Sequence, residues 1–287
     1  GLPNRLLMDE LLNHALAQAE RFRHRLAVLF LDVDNFKRIN DTLGHDSGDV
    51  LLREVARRLL GCIRKSDVLL REGDVENLLA EPEQELVSRL GGDEFVIILS
   101  KIKGPEDAAI VAERIARALA QPVELTDEET RISATIGISV FPNDGTCATS
   151  LLKHADMAMY EGKEQGRNCY RFFSEGMRVR TARRFYIESK LGRGLERGEF
   201  LLYYQPRVDT TTLAVVGMEA LLRWNQPEDG LVLPGEFIPI AEQNGLILPI
   251  GDWVLREACR QAAAWHAAGL PPLVVSINLS AVQFRHR

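Results

Sequence analysis

The sequence predicts an α/β protein: a layered domain with a mostly antiparallel central sheet, followed by the opening of an incomplete (β/α)8 barrel. Three observations predict it. Through residues 1–174, strand-like and helix-like stretches alternate as β-α-β-β-α-β-α-β after a leading helix, the order of helices layered on one sheet. The run "RLAVLFLDVDNF" (25–36) is rich in Val, Leu and Phe, as a buried central strand should be. From about residue 175 the order becomes β-β-α-α-β. Too few residues remain there for a closed (β/α)8 barrel, which takes roughly 250.

The elements follow in order. Residues 4–23 have helix composition and few breakers. The strand of 25–36 ends at Asp32 and Asp34. "DSGDVLLREVARRLLGCIRKSD" (46–67) is an amphipathic helix that Ser47 or Asp46 can cap, with Val50, Leu51, Val55, Leu59 and Ile63 as its apolar stripe. Residues 71–86 break the rhythm, with six acids against one base. A short strand at 87–90, a turn at Gly91-Gly92 and a strand at 95–100 come next. Gly104-Pro105 opens a helix to about 120, with Pro as a first-turn residue. Residues 131–142 read as a strand, 148–166 as a helix closed by Gly166, and 168–173 as a last strand. A basic helical connector spans 175–196, and the second unit runs 197–287. That unit has strands at 200–208 and 213–224, helices at 234–243 and 250–268, and a strand at 272–280.

Composition limits the function. Of 287 residues, 46% are hydrophobic and 26% charged, which is ordinary for a folded soluble domain. The net charge of −6 gives no basic field for nucleic acid. No apolar run is long enough to cross a bilayer. The four cysteines are scattered, without a Cys-x-x-Cys pair, so a reduced, cytoplasmic chain is expected. The chain opens on "GLPNR" without an initiator Met and reads as a piece of a longer protein, which could be membrane-anchored elsewhere.

Carboxylates stand where chemistry could be. Asp32 and Asp34 end a buried strand, where an unpaired charge is costly. They could be solvated, or they could hold a hard cation such as Mg²⁺. "SRLGGDEFVIIL" (88–99) is open to two readings as well. Gly91-Gly92 makes an ordinary hairpin turn beside solvated acids. The same glycines would let a phosphate reach backbone N–H groups, while Asp32 and Asp93 met at one sheet edge.

With "FLDVDNFKRINDTLGHDSGD" upstream and "ADMAMYEGKEQGRN" downstream, the "GGDEF" stretch resembles the GGDEF family of diguanylate cyclases over roughly residues 1–174. The resemblance implies a palm-like α/β fold. It implies an enzyme that condenses two GTP into cyclic di-GMP and pyrophosphate, with Mg²⁺ or Mn²⁺, across a head-to-head homodimer whose monomer is inactive. By matching, Asp32, Asp93 and the Val33 carbonyl would hold metal, and Glu94 is a weaker candidate for metal or proton-transfer duty. Asn40 and Asp49 would read the guanine edge. Lys37, Lys163 and Arg167 would hold phosphates, with Gly91 and Gly92 leaving them room. Asp49 could equally be a first-turn acid, and Lys163 and Arg167, spaced i, i+4, could be cations complementing a helix C-terminus. The family's inhibitory product motif, Arg-x-x-Asp, is matched by Arg64 and Asp67, but 23 residues separate Asp67 from Gly91. The acidic block reads as an insertion, either a solvated loop or a shield over that site.

"FLLYYQPRVDTTTLAVVGMEALLRW", "PGEFIPIAEQNGLI" and "INLS" resemble the opening of an EAL domain, a family that hydrolyses cyclic di-GMP on a (β/α)8 barrel. Matching makes Glu219 and Asn278 metal ligands and places Gln205 and Arg223 on the dinucleotide. The family's later acidic ligands have no counterpart here, so no phosphodiesterase activity is expected of this chain. Two functions compete: a cyclase from a bifunctional cyclic di-GMP protein, and a GTP-binding regulatory module of a phosphodiesterase.

Overall fold

The structure is a computed structural model that describes residues 2–3, 5–63, 86–125 and 128–285. The chain divides into two compact units, residues 1–179 and 180–287. Among the described residues, no helix is long and apolar enough to cross a membrane.

The first unit begins with α1 (Arg5–Phe22), β1 (Arg25–Val33), α2 (Phe36–Leu43) and α3 (His45–Cys62). It continues with β2 (Leu86–Gly91), β3 (Glu94–Ile102), α4 (Pro105–Leu119) and the small hairpin β4 (Val123–Leu125) and β5 (Glu128–Thr130). It closes with β6 (Ala134–Phe141), α5 (Ala148–Glu164) and β7 (Tyr170–Phe172). The main sheet has the order β2-β3-β1-β6-β7. All its pairs are antiparallel except β6 with β7.

β1 lies at the centre and is buried from Leu26 to Val33. Its side chains alternate between two cores, as a strand's period of two requires. Ala27, Leu29, Leu31 and Val33 join the core with α3 and α4. Leu26, Val28 and Phe30 join the core with α1 and α5. A strand covered on both faces explains the unbroken apolar run.

Several expected details are corrected. The helix expected at 46–67 starts at His45 after Gly44, and Ser47 donates to the Leu43 carbonyl at 2.9 Å instead of capping. Val50 is 44% exposed, and Leu52 takes its place with Leu51, Val55, Leu59 and Cys62. The α2 helix and the β4–β5 hairpin were not anticipated. The turn falls at Gly92-Asp93, because Gly91 still pairs with Glu94 and Gly92 takes φ +55. Arg64, Asp67 and the acidic block up to residue 85 lie outside the described residues.

In the second unit, α6 (Glu175–Glu196) contributes its residues from Arg180 onward. It precedes β8 (Phe200–Val208), β9 (Val215–Gln226), β10 (Gly230–Val232), α7 (Pro234–Gln243), α8 (Ile247–Ala267), β11 (Val274–Ile277) and α9 (Ala281–Arg285). The stretch expected as a connector is part of this unit's core. Ile187 and Leu191 pack with Phe200, Trp224 and Phe237, and Lys190 pairs with Glu228 at 2.9 Å. β9 carries antiparallel β8 on one edge, and antiparallel β10 and parallel β11 on the other. The sheet is mixed and is not closed into a barrel.

Candidate functional site

The C-terminal end of β1 collects the first group of side chains. Asp32 lies opposite Glu94 of β3 on one side and Thr135 of β6 on the other, so all three share one face. The Val33 N–H donates to the Asp93 carbonyl at 3.3 Å and ties the hairpin turn to the end of β1. Arg89 Nε and Nη2 hold the same turn through the Gly92 carbonyl, at 3.0 and 2.8 Å.

Helix α5 brings a cation to these acids. Gly137 and Gly162 let it lie close on β6: a Cβ at Gly137 would meet the Ala155 carbonyl oxygen at 1.9 Å, and one at Gly162 would meet Thr135 Cγ2 at 2.7 Å. With Gly162 seated on Thr135, the next residue reaches Asp32. Lys163 Nζ is 2.7 Å from Asp32 Oδ2.

The electrostatics show crowded negative charge. Burial raises the Asp32 carboxyl above the usual carboxylate range, Lys163 opposes this, and Asp93 and Asp34 add to it. Glu94 is raised by desolvation, then by Asp156, Asp32 and Asp93. Desolvation also raises Asp156, with Lys163 opposing. These are conditions under which a hard cation binds oxygen donors, and an ammonium already occupies one edge of Asp32. Among the described residues, no three His, Cys, Asp or Glu side chains converge as a metal cluster. A metal held by Asp32, Asp93 and the Val33 carbonyl would therefore complete its shell with ligand or water oxygens, as Mg²⁺ does beside phosphates. The donor set fits the group.

Asp34 leaves the candidate pair. Its carboxylate accepts from Ser133 Oγ at 2.6 Å, Thr135 Oγ1 at 2.7 Å and the Asn168 N–H at 3.0 Å. It is a buried clip between strand ends.

A second group lies on α2 and α3. Asn40 Oδ1 is buried without a hydrogen-bond partner. A Cβ at Gly48 would meet it at 1.9 Å, so Gly48 makes the room for this amide. Asp49 follows immediately and is exposed. An unpaired buried acceptor costs about 1–3 kcal/mol, which a ligand donor would relieve. Lys37 is exposed in the first turn of α2. Arg167 is exposed too, and the expected i, i+4 pairing with Lys163 does not hold. α5 ends at Glu164, and Arg167 takes φ +64 beyond it. Asp156 was missed from sequence, although it stands two helical turns before Lys163 on the same face.

In the second unit, Asn278 Nδ2 donates to Glu219 Oε1 at 2.8 Å. Gln205 lies directly opposite Glu219 in the β8–β9 ladder. Arg223 stands apart, four residues along β9, which is roughly 13 Å. Its guanidinium lies 5.5 Å from the Tyr203 ring centroid, and its Nη1 donates to the Leu222 carbonyl at 2.7 Å.

The profile of the family described as "Diguanylate cyclase, GGDEF domain" matches residues 1–83 and 75–169, two pieces that overlap in the acidic block. The chain belongs to the GGDEF family. An EAL domain profile follows at residues 188–287. The GGDEF–EAL chain is 43% identical, over 99% of its length, to the bifunctional diguanylate cyclase/cyclic di-GMP phosphodiesterase MucR of Pseudomonas aeruginosa. It is 37% identical, over 99% of its length, to the cyclic di-GMP phosphodiesterase PdeR of Escherichia coli. It spans 39% of the length of each of these relatives. The crystal structure of the GGDEF domain of YfiN (TpbB) from Pseudomonas aeruginosa is 38% identical, with a TM-score of 0.53, over 61% of this chain and 98% of that one.

Proposed function

We propose that the GGDEF unit is a diguanylate cyclase, which condenses two GTP into cyclic di-GMP and pyrophosphate as part of a cyclic di-GMP turnover protein. The observation that carries this reading is the meeting of Asp32, the Asp93–Glu94 turn and Lys163 at the end of β1. Asp32, Asp93 and the Val33 carbonyl would hold Mg²⁺ or Mn²⁺. When bound, such a cation supplies Lewis acidity at the α-phosphate.

The chain's own residues do the rest. Gly91 and Gly92 leave the triphosphate room beside the backbone, and Lys37, Lys163 and Arg167 neutralise its charge. Asn40 and Asp49 read the guanine edge: the carboxylate accepts from N1–H and N2–H, and the amide both donates and accepts. The 3′-hydroxyl of each GTP attacks the α-phosphate of the other, each hydroxyl proton goes to a base, and two pyrophosphates leave as the two phosphodiester bonds form. Glu94, next to Asp93 in sequence and directly opposite Asp32 across the β1–β3 ladder, is placed to be the base. Each chain holds one GTP, so the reaction takes a homodimer.

Relatives named phosphodiesterases along the whole of this chain favour a second reading, in which the GGDEF unit binds GTP and tunes the EAL unit. There, Glu219 and Asn278 would hold metal, with Gln205 and Arg223 on cyclic di-GMP. Incubation with GTP and Mg²⁺, followed by chromatography of the nucleotides, separates the two. The cyclase reading expects cyclic di-GMP from the unaltered chain and at least a hundredfold less (about 3 kcal/mol of transition-state stabilisation) from Asp93→Ala. Undiminished product from Asp93→Ala overturns the assignment. GTP binding without turnover by the unaltered chain selects the regulatory reading.

A further inference from the structure

The two partners of one ion pair have different duties in the proposed reaction. Asp32 is the metal-holding carboxylate and Lys163 a phosphate-holding cation, yet Lys163 Nζ lies 2.7 Å from Asp32 Oδ2. The Asp32 side chain is only 10% exposed and that of Lys163 26% exposed, so the pair is sheltered from solvent. Helix α5 holds it there by close contact with β6, through Gly137 and through Gly162 on Thr135.

We propose that Lys163 is a displaceable placeholder cation on Asp32, so that metal and triphosphate load the site together and neither loads well alone. This rests on the reading of Asp32 as a metal ligand and Lys163 as a phosphate ligand. The argument is one of space and charge. Mg²⁺ and Mn²⁺ bind a carboxylate oxygen at about 2.1 Å. A dication on Asp32 and an ammonium 2.7 Å from the same carboxylate would be like charges within a few ångströms, in a sheltered site where screening is weak.

Lys163 must therefore swing off when metal arrives. Its four-carbon stem permits this without moving α5. A triphosphate gives the freed ammonium a new partner, and Asp156, two turns back on the same helix face, keeps negative charge beside it. Without a nucleotide, metal binding must break the ion pair with no phosphate to replace it. Without a metal, the lysine stays on Asp32 and the phosphates lose a contact. Lys163 is thus a positioning residue for Asp32 before it touches substrate.

The test is metal binding to the full 287-residue chain with no nucleotide present. Free Mn²⁺ is followed by electron paramagnetic resonance as Mn²⁺ alone is titrated in. Lys163→Met should bind Mn²⁺ about five- to tenfold more tightly than the unaltered chain, the equivalent of freeing a carboxylate from one ion pair. Lys163→Arg, which keeps a cation there, should retain the weak affinity. Asp32→Asn should abolish the binding that Lys163→Met tightens, leaving any Mn²⁺ held at Glu219 and Asn278 of the second unit as a constant background. If Lys163→Met leaves the affinity unchanged or lowers it while Asp32→Asn still abolishes it, the placeholder idea is overturned and the metal site stands. If Mn²⁺ binding is indifferent to Asp32→Asn, the metal site falls and this proposal with it. Should Lys163→Met fail to fold, Lys163→Gln carries the same comparison.

Discussion

Two aspartates two positions apart, Asp32 near the end of β1 and Asp34 just beyond it, have opposite fates. Asp34 is spent on the fold, with donors from Ser133, Thr135 and Asn168. Asp32 keeps an edge for exchangeable partners, with Lys163 on it now. Sequence could not separate them, because both read as acids at a strand end and the donors to Asp34 come from residues about a hundred or more positions later. Gly48 is a second case where a single residue sets the site. A Cβ there would meet Asn40 Oδ1 at 1.9 Å, but the obstacle is the end of a side chain that can swing away. Gly48→Ala should therefore spare the fold and displace the amide. The expected result is a KM for GTP raised about tenfold with kcat nearly unchanged, the signature of lost uniform binding. Gly61→Ala, on the same helix with nothing within 4 Å, serves as the control and should leave KM unaltered. Equal KM values for the two variants would remove Asn40 from guanine recognition.

At the scale of elements, long periodic segments were legible and short ones were not. β1 and α5 announce themselves by an unbroken apolar run and by helical spacing. α2 has only 8 residues and the β4–β5 hairpin 3 on each side, too short for a period to register. Their placement depends on tertiary partners, and Arg58 shows how. From α3 its Nη1 donates to the carbonyls of Ala118, Leu119 and Gln121 at 3.0, 3.2 and 2.6 Å, and its Nη2 to that of Pro122 at 2.7 Å. It thereby satisfies carbonyls that α4 leaves open at its end. Glu54 steadies the guanidinium through Nε at 2.7 Å. Arg58→Ala strands several carbonyls at once and should destabilise the first unit by about 2–4 kcal/mol, read from urea unfolding. The pH dependence has a definite sign. Glu54, paired with Arg57 and then with Arg58, is lowered from 4.5 to about 2. Its stabilisation is present above about pH 4.5 and is lost as pH falls towards 2. Arg58→Ala should therefore weaken this acid dependence as well as the midpoint.

The whole molecule imposes the last constraint. Its two units have separate cores, one pair around β1 and one around Trp224 and Phe237, so the candidate site at the end of β1 is built from residues of the first unit, 1–179. The succession of motifs made this division legible, while the open mixed sheet of the second unit departs from an all-parallel barrel because β8 and β9 form a hairpin. Within the first unit, the proposed roles of the carboxylates at the end of β1 and of the amide–carboxylate pair on α2 and α3 would provide for one triphosphate and one guanine. The proposed reaction needs two, with the hydroxyl of one GTP facing the α-phosphate of the other. A second copy of the chain must supply the second half-site. Mixing tests this without measuring size. Unaltered chain is equilibrated with a ninefold excess of Asp93→Ala, under conditions where dimers exchange. If both half-sites must be intact, mixed pairs are dead. The rate of cyclic di-GMP formation per unaltered chain then falls to about one tenth, the chance that its partner is also unaltered. If one chain carries out the whole reaction, that rate does not change. The same titration with Gly61→Ala in place of Asp93→Ala should leave the rate per total chain intact, since that chain brings a complete half-site to every pair.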